Sequence, residues 1–355
     1  MMSTPLRAVI TATSVSSPRS ERFSVGLADL GDDVEWAPDA AAHELRDACI
    51  SRALAAAQAK GYVIGRRVVV ILGAQCIGAD PAARRYYPES PVRHVQTLLP
   101  ESEVTSLVLS HACASTGVAA GVAADLCRAG AADTVVVCSS SIDGSLEEDT
   151  FRDARAWAPE VRPFDQAASG TRVYGFAGAL VVQAAPAPIG DDPVITGWHA
   201  RSIGGKTVSD PDEEYLVMSE SARKAGRAPR LVIAHATGTK QGDQAELQAI
   251  ARYADTHDVA VDVLANKGAV GHAVFAAGVA SIVTAVRVLS GVPVGGSFGL
   301  REPLEAPGSI RLLREAEGDA RLDLSGRHQA ALVNGFGFSG SNVALIIERE
   351  GENHD

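Results

Sequence analysis

Basic residues are in short supply in this 355-residue chain: 32 Lys and Arg face 43 Asp and Glu, a formal net charge of −11. That balance excludes nucleic acid or an anionic membrane as the main partner, although not a local basic patch. No run approaches the roughly 18 uninterrupted apolar residues of a membrane span. The opening MMSTPLRAVITATSV lacks a charged segment followed by a long apolar stretch, so no secretory signal is expected. Five cysteines, at 49, 76, 113, 127 and 138, are an odd number and form no CxxC pair. A disulfide framework and a zinc site are therefore not expected, and a reducing cytoplasm is the expected compartment. Aromatics make up only 5% of the chain. Alanine, glycine and valine take their place, a composition suited to helices packed closely on sheets.

What is present is an alternation. Residues 6–15, 66–74, 104–110, 133–141 and 178–185 read as strands, with helices over 41–61 and 115–130 between them. The second half keeps the rhythm: a strand from 230, a helix over 243–257, a strand over 259–266, a long helix over 272–291, and two strands around a glycine-rich turn over 329–350. Such alternation predicts an α/β protein whose sheets are covered on both faces. The similar order of the halves predicts an internal duplication, divided into residues 1–185 and 186–355. Residues 142–175 and 184–229 read as irregular surface loops or cap segments.

Four places carry candidate chemistry. In LVLSHACASTGVAAGVAADLCRAG, Cys113 follows a strand and directly precedes a helix of small residues. A thiol there meets the positive end of the helix dipole, which favours thiolate, and a sharp strand-to-helix turn exposes the side chain to a site. Cys49, Cys127 and Cys138 lie inside elements and read as packing, and Cys76 precedes no helix. In AHATGTKQGDQAE, His235 ends a strand, while Asp243 and Glu246 have the spacing of a helix capping pair. In ANKGAVGHAVFAAGVASI, Lys267 precedes His272, which is placed at a helix N-terminus where neutral imidazole is favoured. In NGFGFSGSN, alternating glycine and phenylalanine offer a wall that main chain and substrate can approach closely.

Taken together and in this order, these motifs resemble those of the β-ketoacyl synthases, the elongating condensing enzymes of fatty acid and polyketide synthesis. HACASTGVAAGVAADLCRAG is similar to the nucleophile segment of that family. RPFDQAASGTRVYGFAGALVV, HATGTKQGD, NKGAVGHAVFAAGVA and NGFGFSGSN are similar to four further motifs in register, over residues 45–349. The resemblance implies a thiolase-like fold of two duplicated α/β halves in an αβαβα arrangement. It implies that Cys113 is the nucleophile that carries the acyl group as a thioester. His235 and His272 are then the pair that promotes decarboxylation of a malonyl-type extender, and Lys267 is a supporting lysine. Thr237 and Thr239 are expected to bind the phosphopantetheine arm, Phe336 and Phe338 to contact substrate, and the amides of Cys113 and Phe338 to form the oxyanion hole.

The residue chemistry agrees with this. Joining two carbons needs a transferable acyl group, which a cysteine holds as a good leaving group, and a carbanion equivalent, which decarboxylation supplies. Two imidazole donors can stabilise the enolate. No metal and no bound cofactor is expected. Substrates are expected on the phosphopantetheine of an acyl carrier protein or on coenzyme A. The implied partners are that carrier protein and a second copy of the chain, or a heterodimeric partner. Arg84, Arg85, Arg93 and Arg172 are candidate cations for the acidic carrier. The sequence departs from the family pattern in several places. His111 stands for threonine, Ala236 and Ser339 stand for glycines, Phe176 stands for a glutamate, and Ser281 stands where fatty acid members carry glutamate. These departures keep two alternatives open: an acyltransferase that moves the acyl group from Cys113 to a non-malonyl acceptor, and a non-catalytic partner subunit.

Overall fold

The computed structural model describes residues 5–17, 42–74, 90–141, 146–204, 209–315 and 322–349. Cys76, Arg84 and Arg85 lie outside the described residues. The first half runs β1 (Arg7–Ser16), α1 (Ala42–Ala59), β2 (Arg67–Gly73), α2 (Val92–Leu98), β3 (Glu103–Leu109), α3 (Ser115–Arg128), β4 (Thr134–Ser141), α4 (Leu146–Asp153) and β5 (Phe176–Ala185). The second runs β6 (Val194–Ser202), α5 (Pro211–Ala225), β7 (Leu231–Ile233), α6 (Lys240–His257), β8 (Val261–Leu264), α7 (Lys267–Val270), a 3-10 turn (Val274–Ala276), α8 (Ala277–Leu289), β9 (Ile310–Leu312), β10 (Ala330–Gly337) and β11 (Ser341–Glu348).

The strand order carries the duplication. The first half is ordered β3-β2-β4-β5-β1 and the second β8-β7-β10-β11-β6, with β9 added outside β8. In each, the first three strands are parallel and the last two antiparallel. The halves meet edge to edge through the single pair Val9–Val194. Helices α3 and α8, which occupy equivalent places in the two halves, touch each other and strands of both halves, so they form a central layer. Helices α1 and α2 cover the outer face of the first sheet, and α5 and α6 cover that of the second.

Sequence explains the central layer. Every residue of α8 is buried, and α3 turns Gly117, Ala119, Ala120, Gly121, Ala123 and Ala124 into the interior. Small side chains let backbones approach closely without voids. At the crossing of the two helices, a Cβ on Gly278 would lie 2.4 Å from the amide nitrogen of Gly117. Beside it, the Thr116 hydroxyl donates to the carbonyl of Phe275 at 2.7 Å and accepts from the amide of Val279 at 3.2 Å. These contacts fix the start of α3 against the entry to α8. Gly278→Ala is therefore expected to destabilise the chain by about 2 kcal/mol or more, read as a lower urea midpoint with an unchanged slope. An unchanged midpoint would mean that the crossing is looser than described.

Two expectations are corrected. Residues 184–229 are not irregular: they contain β6 and α5, and the segment 142–175 contains α4. Helix α5 was masked by its low apolar content and by Pro211, which here occupies the start of the helix behind the N-cap Asp210. The helix expected over 272–291 begins only at Ala277. Gly271 (φ 72°) and Val274 (φ 43°) both leave helical space before it, so the run of apolar residues extends further than the helix.

Candidate active site

Cys113 and the two histidines His235 and His272, more than a hundred residues further along the chain, converge on one cavity of about 310 Å³. Cys113 sits in the turn between β3 and α3. Ala112, directly before it, is held at φ 47°, a conformation that costs an L-residue about 1 kcal/mol. This sharp turn brings the Cys113 sulfur to 3.1 Å from His272 Nε2. The rings of His235 and His272 stand edge to face, 5.5 Å apart.

The two imidazoles are held in different ways. His235 follows β7, and the carboxylate of Glu246 on α6 accepts from the amides of His235 (2.8 Å) and Ala236 (2.6 Å) and from the Asn334 side chain (2.9 Å). Lys267 Nζ donates to the carbonyl of His235 and lies 3.3 Å from its Nδ1. An ammonium donating to Nδ1 leaves the ring proton on Nε2. His272 is held by its amide, which donates to the carbonyl of Arg172 at 2.8 Å, in a bridge between residues 173 and 272. It therefore stands before α8, not at its N-terminus. Its basicity falls well below the usual histidine range, as expected, but burial and then Lys267 are the causes, not a helix end. His235 is lowered likewise by burial, Lys267 and His272. Lys267 is itself lowered to about 8, chiefly by burial.

Burial also corrects the expectation for Cys113. The helix start favours thiolate, yet desolvation dominates and pushes the thiol up to about 12 despite Lys267. Burial thus favours a neutral thiol, with His272 Nε2 within hydrogen-bond reach of its sulfur. The capping pair at Asp243 and Glu246 is also overturned. Helix α6 starts at Lys240, so both acids lie inside it and reach back to the loop. Asp243 accepts from the amides of Gly238 (3.0 Å) and Phe164 (2.7 Å).

Thr237 and Thr239 line the same cavity, with their hydroxyls 2.9 Å apart. Phe336 lies on its wall, 5.9 Å from the His235 ring. Phe338 and Phe151, 5.3 Å apart, line this cavity and also a second one of about 430 Å³, with Cys113 at the boundary between them. Gly337 packs so closely that a Cβ there would come within 3.0 Å of the Cys113 amide nitrogen. Ala236 (φ 27°) and Ser339 (φ 62°), which replace glycines of the family pattern, keep the left-handed backbone that glycine would adopt freely.

Sequence reasoning missed Arg155, Lys240, Glu214 and Phe151, all of which line the first cavity. Neither Arg93, which is exposed on α2, nor Arg172, whose guanidinium stacks on Tyr174, is among the residues lining it. The residues missed come from three separate segments that only the fold assembles: Phe151 and Arg155 in and after α4, Glu214 on α5, and Lys240 inside the HATGTKQGD motif. Among the described residues no group of three His, Cys, Asp or Glu is placed to hold a metal ion, and no helix is long and apolar enough to cross a membrane.

Comparison with known proteins agrees with this fold. Residues 194–292 match the family model for the β-ketoacyl synthase C-terminal domain. Over 271 residues the chain is 28% identical to non-reducing polyketide synthase subA of Metarhizium robertsii, covering 68% of this chain and 12% of that protein. Over 268 residues it is 31% identical to highly reducing polyketide synthase sorA of Penicillium rubens, covering 68% and 10%. The chain thus spans about a tenth of the length of these relatives. The fold superposes on a β-ketoacyl synthase from Burkholderia phymatum with a TM-score of 0.76 at 20% identity, covering 98% of this chain and all of that one. It also matches a type II polyketide ketosynthase solved with its acyl-carrier protein, TM-score 0.75 at 16% identity, covering 97% and 99%. The strand order, the layered helices, the five motifs and the C-terminal domain match lead to one assignment: the chain belongs to the β-ketoacyl synthase family, as a divergent member with a thiolase-like fold.

Proposed function

We propose that the chain is a condensing enzyme of polyketide-type secondary metabolism, which loads an acyl group on Cys113 and joins it to a malonyl-type extender with loss of carbon dioxide. The observation that carries this reading is the 3.1 Å approach of His272 Nε2 to a buried Cys113 thiol, with His235 facing the same cavity. As the sulfur attacks the incoming thioester, Nε2 of His272 accepts the thiol proton and returns it to the departing carrier thiol. The amides of Cys113 and Phe338 are assigned to take the negative oxygen of the tetrahedral intermediate, a role supported by the close packing of Gly337 against the Cys113 amide. In the second stage the bond from the malonyl carbon to its carboxylate breaks and carbon dioxide leaves with its carbon. The electron pair left behind forms an enolate, whose oxygen accepts a hydrogen bond from His235 Nε2. The enolate carbon attacks the thioester carbonyl, the new carbon–carbon bond forms, and the Cys113 sulfur leaves.

Thr237 and Thr239 are assigned to the phosphopantetheine arm, and Phe338 with Phe151 to the partition between the arm side and the acyl side. Arg155 and Lys240 supply the local positive charge that an acidic carrier needs against a net charge of −11. A homodimer is proposed through β3, the terminal strand of the sheet among the described residues, which exposes Leu107 (40%) and Val108 (38%). The halves 1–185 and 186–355 are proposed as the two units of the duplication.

The test is incubation with acyl-carrier thioester and malonyl-carrier. Carbon dioxide release with a product two carbons longer is expected. Acylated Cys113 that passes its group to another acceptor without carbon dioxide release would replace condensation by simple acyl transfer. No acylation would leave the role of a non-catalytic partner.

A further inference from the structure

Glu214 has no part in the chemistry above, yet it lies on the wall of the same cavity, in the first turn of α5. It is 1% exposed and its Oε2 has no hydrogen-bond partner. A buried carboxylate without a partner is costly, so such a group is either paired or neutral. The groups that act on it electrostatically are Glu246, Asp210 and Asp243, all acidic. The start of a helix favours the ionised form, but burial and the three carboxylates outweigh it and raise the group to about 9. At neutral pH Glu214 is therefore a carboxylic acid with an O–H to donate. The same wall presents hydroxyls. A Cβ on Gly242 would lie 2.6 Å from Thr239 Oγ1 and 3.5 Å from both Thr237 Oγ1 and Ser209 Oγ, so three hydroxyls gather at one point. A wall of neutral donors suits carbonyl oxygens, which are uncharged acceptors, and gives nothing to an alkyl chain.

We propose that Glu214 is a substrate-binding residue that donates a hydrogen bond to an amide carbonyl of the thiol-bearing arm that delivers the acyl group to Cys113. The proposal rests on the ketosynthase reading and adds to it a contact on the arm side, from a helix outside all five motifs.

The test compares acylation of Cys113 by two thioesters of the same acyl group, one of pantetheine, which carries amides, and one of 1-propanethiol, which carries none. The wild-type chain is expected to prefer the pantetheine thioester. Glu214→Leu is expected to lower that preference about tenfold through KM, leaving kcat and the propyl thioester reaction unchanged. Glu214→Gln keeps a donor and is expected to retain the preference. In the wild-type chain KM for the pantetheine thioester is expected to rise as the pH passes about 9, where the donor is lost. In Glu214→Gln it stays level. Equal preference in the wild type and Glu214→Leu overturns the proposal, as does loss of preference in Glu214→Gln to the extent seen with leucine. Should Glu214→Leu not fold, the glutamine variant and the wild-type pH profile decide alone. Acylation by neither thioester, in a wild-type chain whose thiol still reacts with iodoacetamide, overturns the ketosynthase reading itself and the proposal with it.

Discussion

Cys113→Ala abolishes acyl loading: intact-protein mass spectrometry is expected to show no acyl adduct after exposure to any carrier thioester, where the wild-type chain gains one. A total effect is expected because, among the described residues, Cys113 is the sole thiol lining either cavity, while Cys49, Cys127 and Cys138 are packed in the core. Stability should change little, since replacing a buried thiol by a methyl group removes one weak hydrogen bond and little volume. The variant is therefore a clean probe. The wild-type pH dependence carries a second consequence. A thiol pushed up to about 12 contributes almost no free thiolate near neutrality. On the proposed mechanism loading proceeds by transfer of the proton to His272, whose basicity lies well below the ordinary 6.5. The loading rate is expected to be level between pH 7 and 8, instead of rising tenfold per unit as a simple ionising thiol would. An adduct on Cys113→Ala, or a steep rise with pH, would each remove the assigned nucleophile or its mode of activation.

The two histidines should separate by stage. His272 touches the sulfur, so His272→Ala is expected to depress both loading and condensation. His235 lies across the cavity and is held by Glu246 and Lys267, with no contact to the sulfur among the bonds found. His235→Ala is expected to load Cys113 at a near-normal rate while carbon dioxide release falls by about a hundredfold to a thousandfold, the usual consequence of losing one donor to a developing oxyanion. Lys267 adds a pH signature. Its ammonium keeps the His235 proton on Nε2, and its pKa is lowered to about 8. Condensation is therefore expected to fall as the pH rises through about 8, while loading does not. Parallel measurement of adduct formation and carbon dioxide release at each pH checks both statements. Equal losses in the two stages for His235→Ala would mean that the histidines act as one unit.

Much of this site was legible before any coordinates, for reasons that are local. A cysteine between a strand and a helix of small residues, a histidine at a strand end, and a lysine five residues before a second histidine all declare themselves in short windows. The turns they need are equally local: Ala112 and Ala236 adopt strained conformations within the motifs that carry them. What could not be read is of two kinds. Helix α5 hides because its charged surface and leading proline resemble a loop until the N-cap at Asp210 is seen. Glu214, Phe151 and Arg155 hide because nothing in their own windows refers to a cavity built by other segments. The dipole reading of Cys113 and His272 failed for a related reason: it weighs neighbours along the chain and cannot weigh desolvation, which is a property of everything packed around a group.

By itself the amino-acid sequence determined the α/β alternation, the duplicated order of its halves and the candidate residues Cys113, His235 and His272, because each of these is written in periodicity or in residues within a few positions of one another. Only the tertiary structure decided the 3.1 Å approach of Cys113 to His272, the burial that raises the thiol and Glu214, and the gathering of Arg155 and Lys240 on the wall of the same cavity. Those depend on distances across the central layer of helices and on the exclusion of water, and neither exists until the two halves of the sheet have closed over α3 and α8.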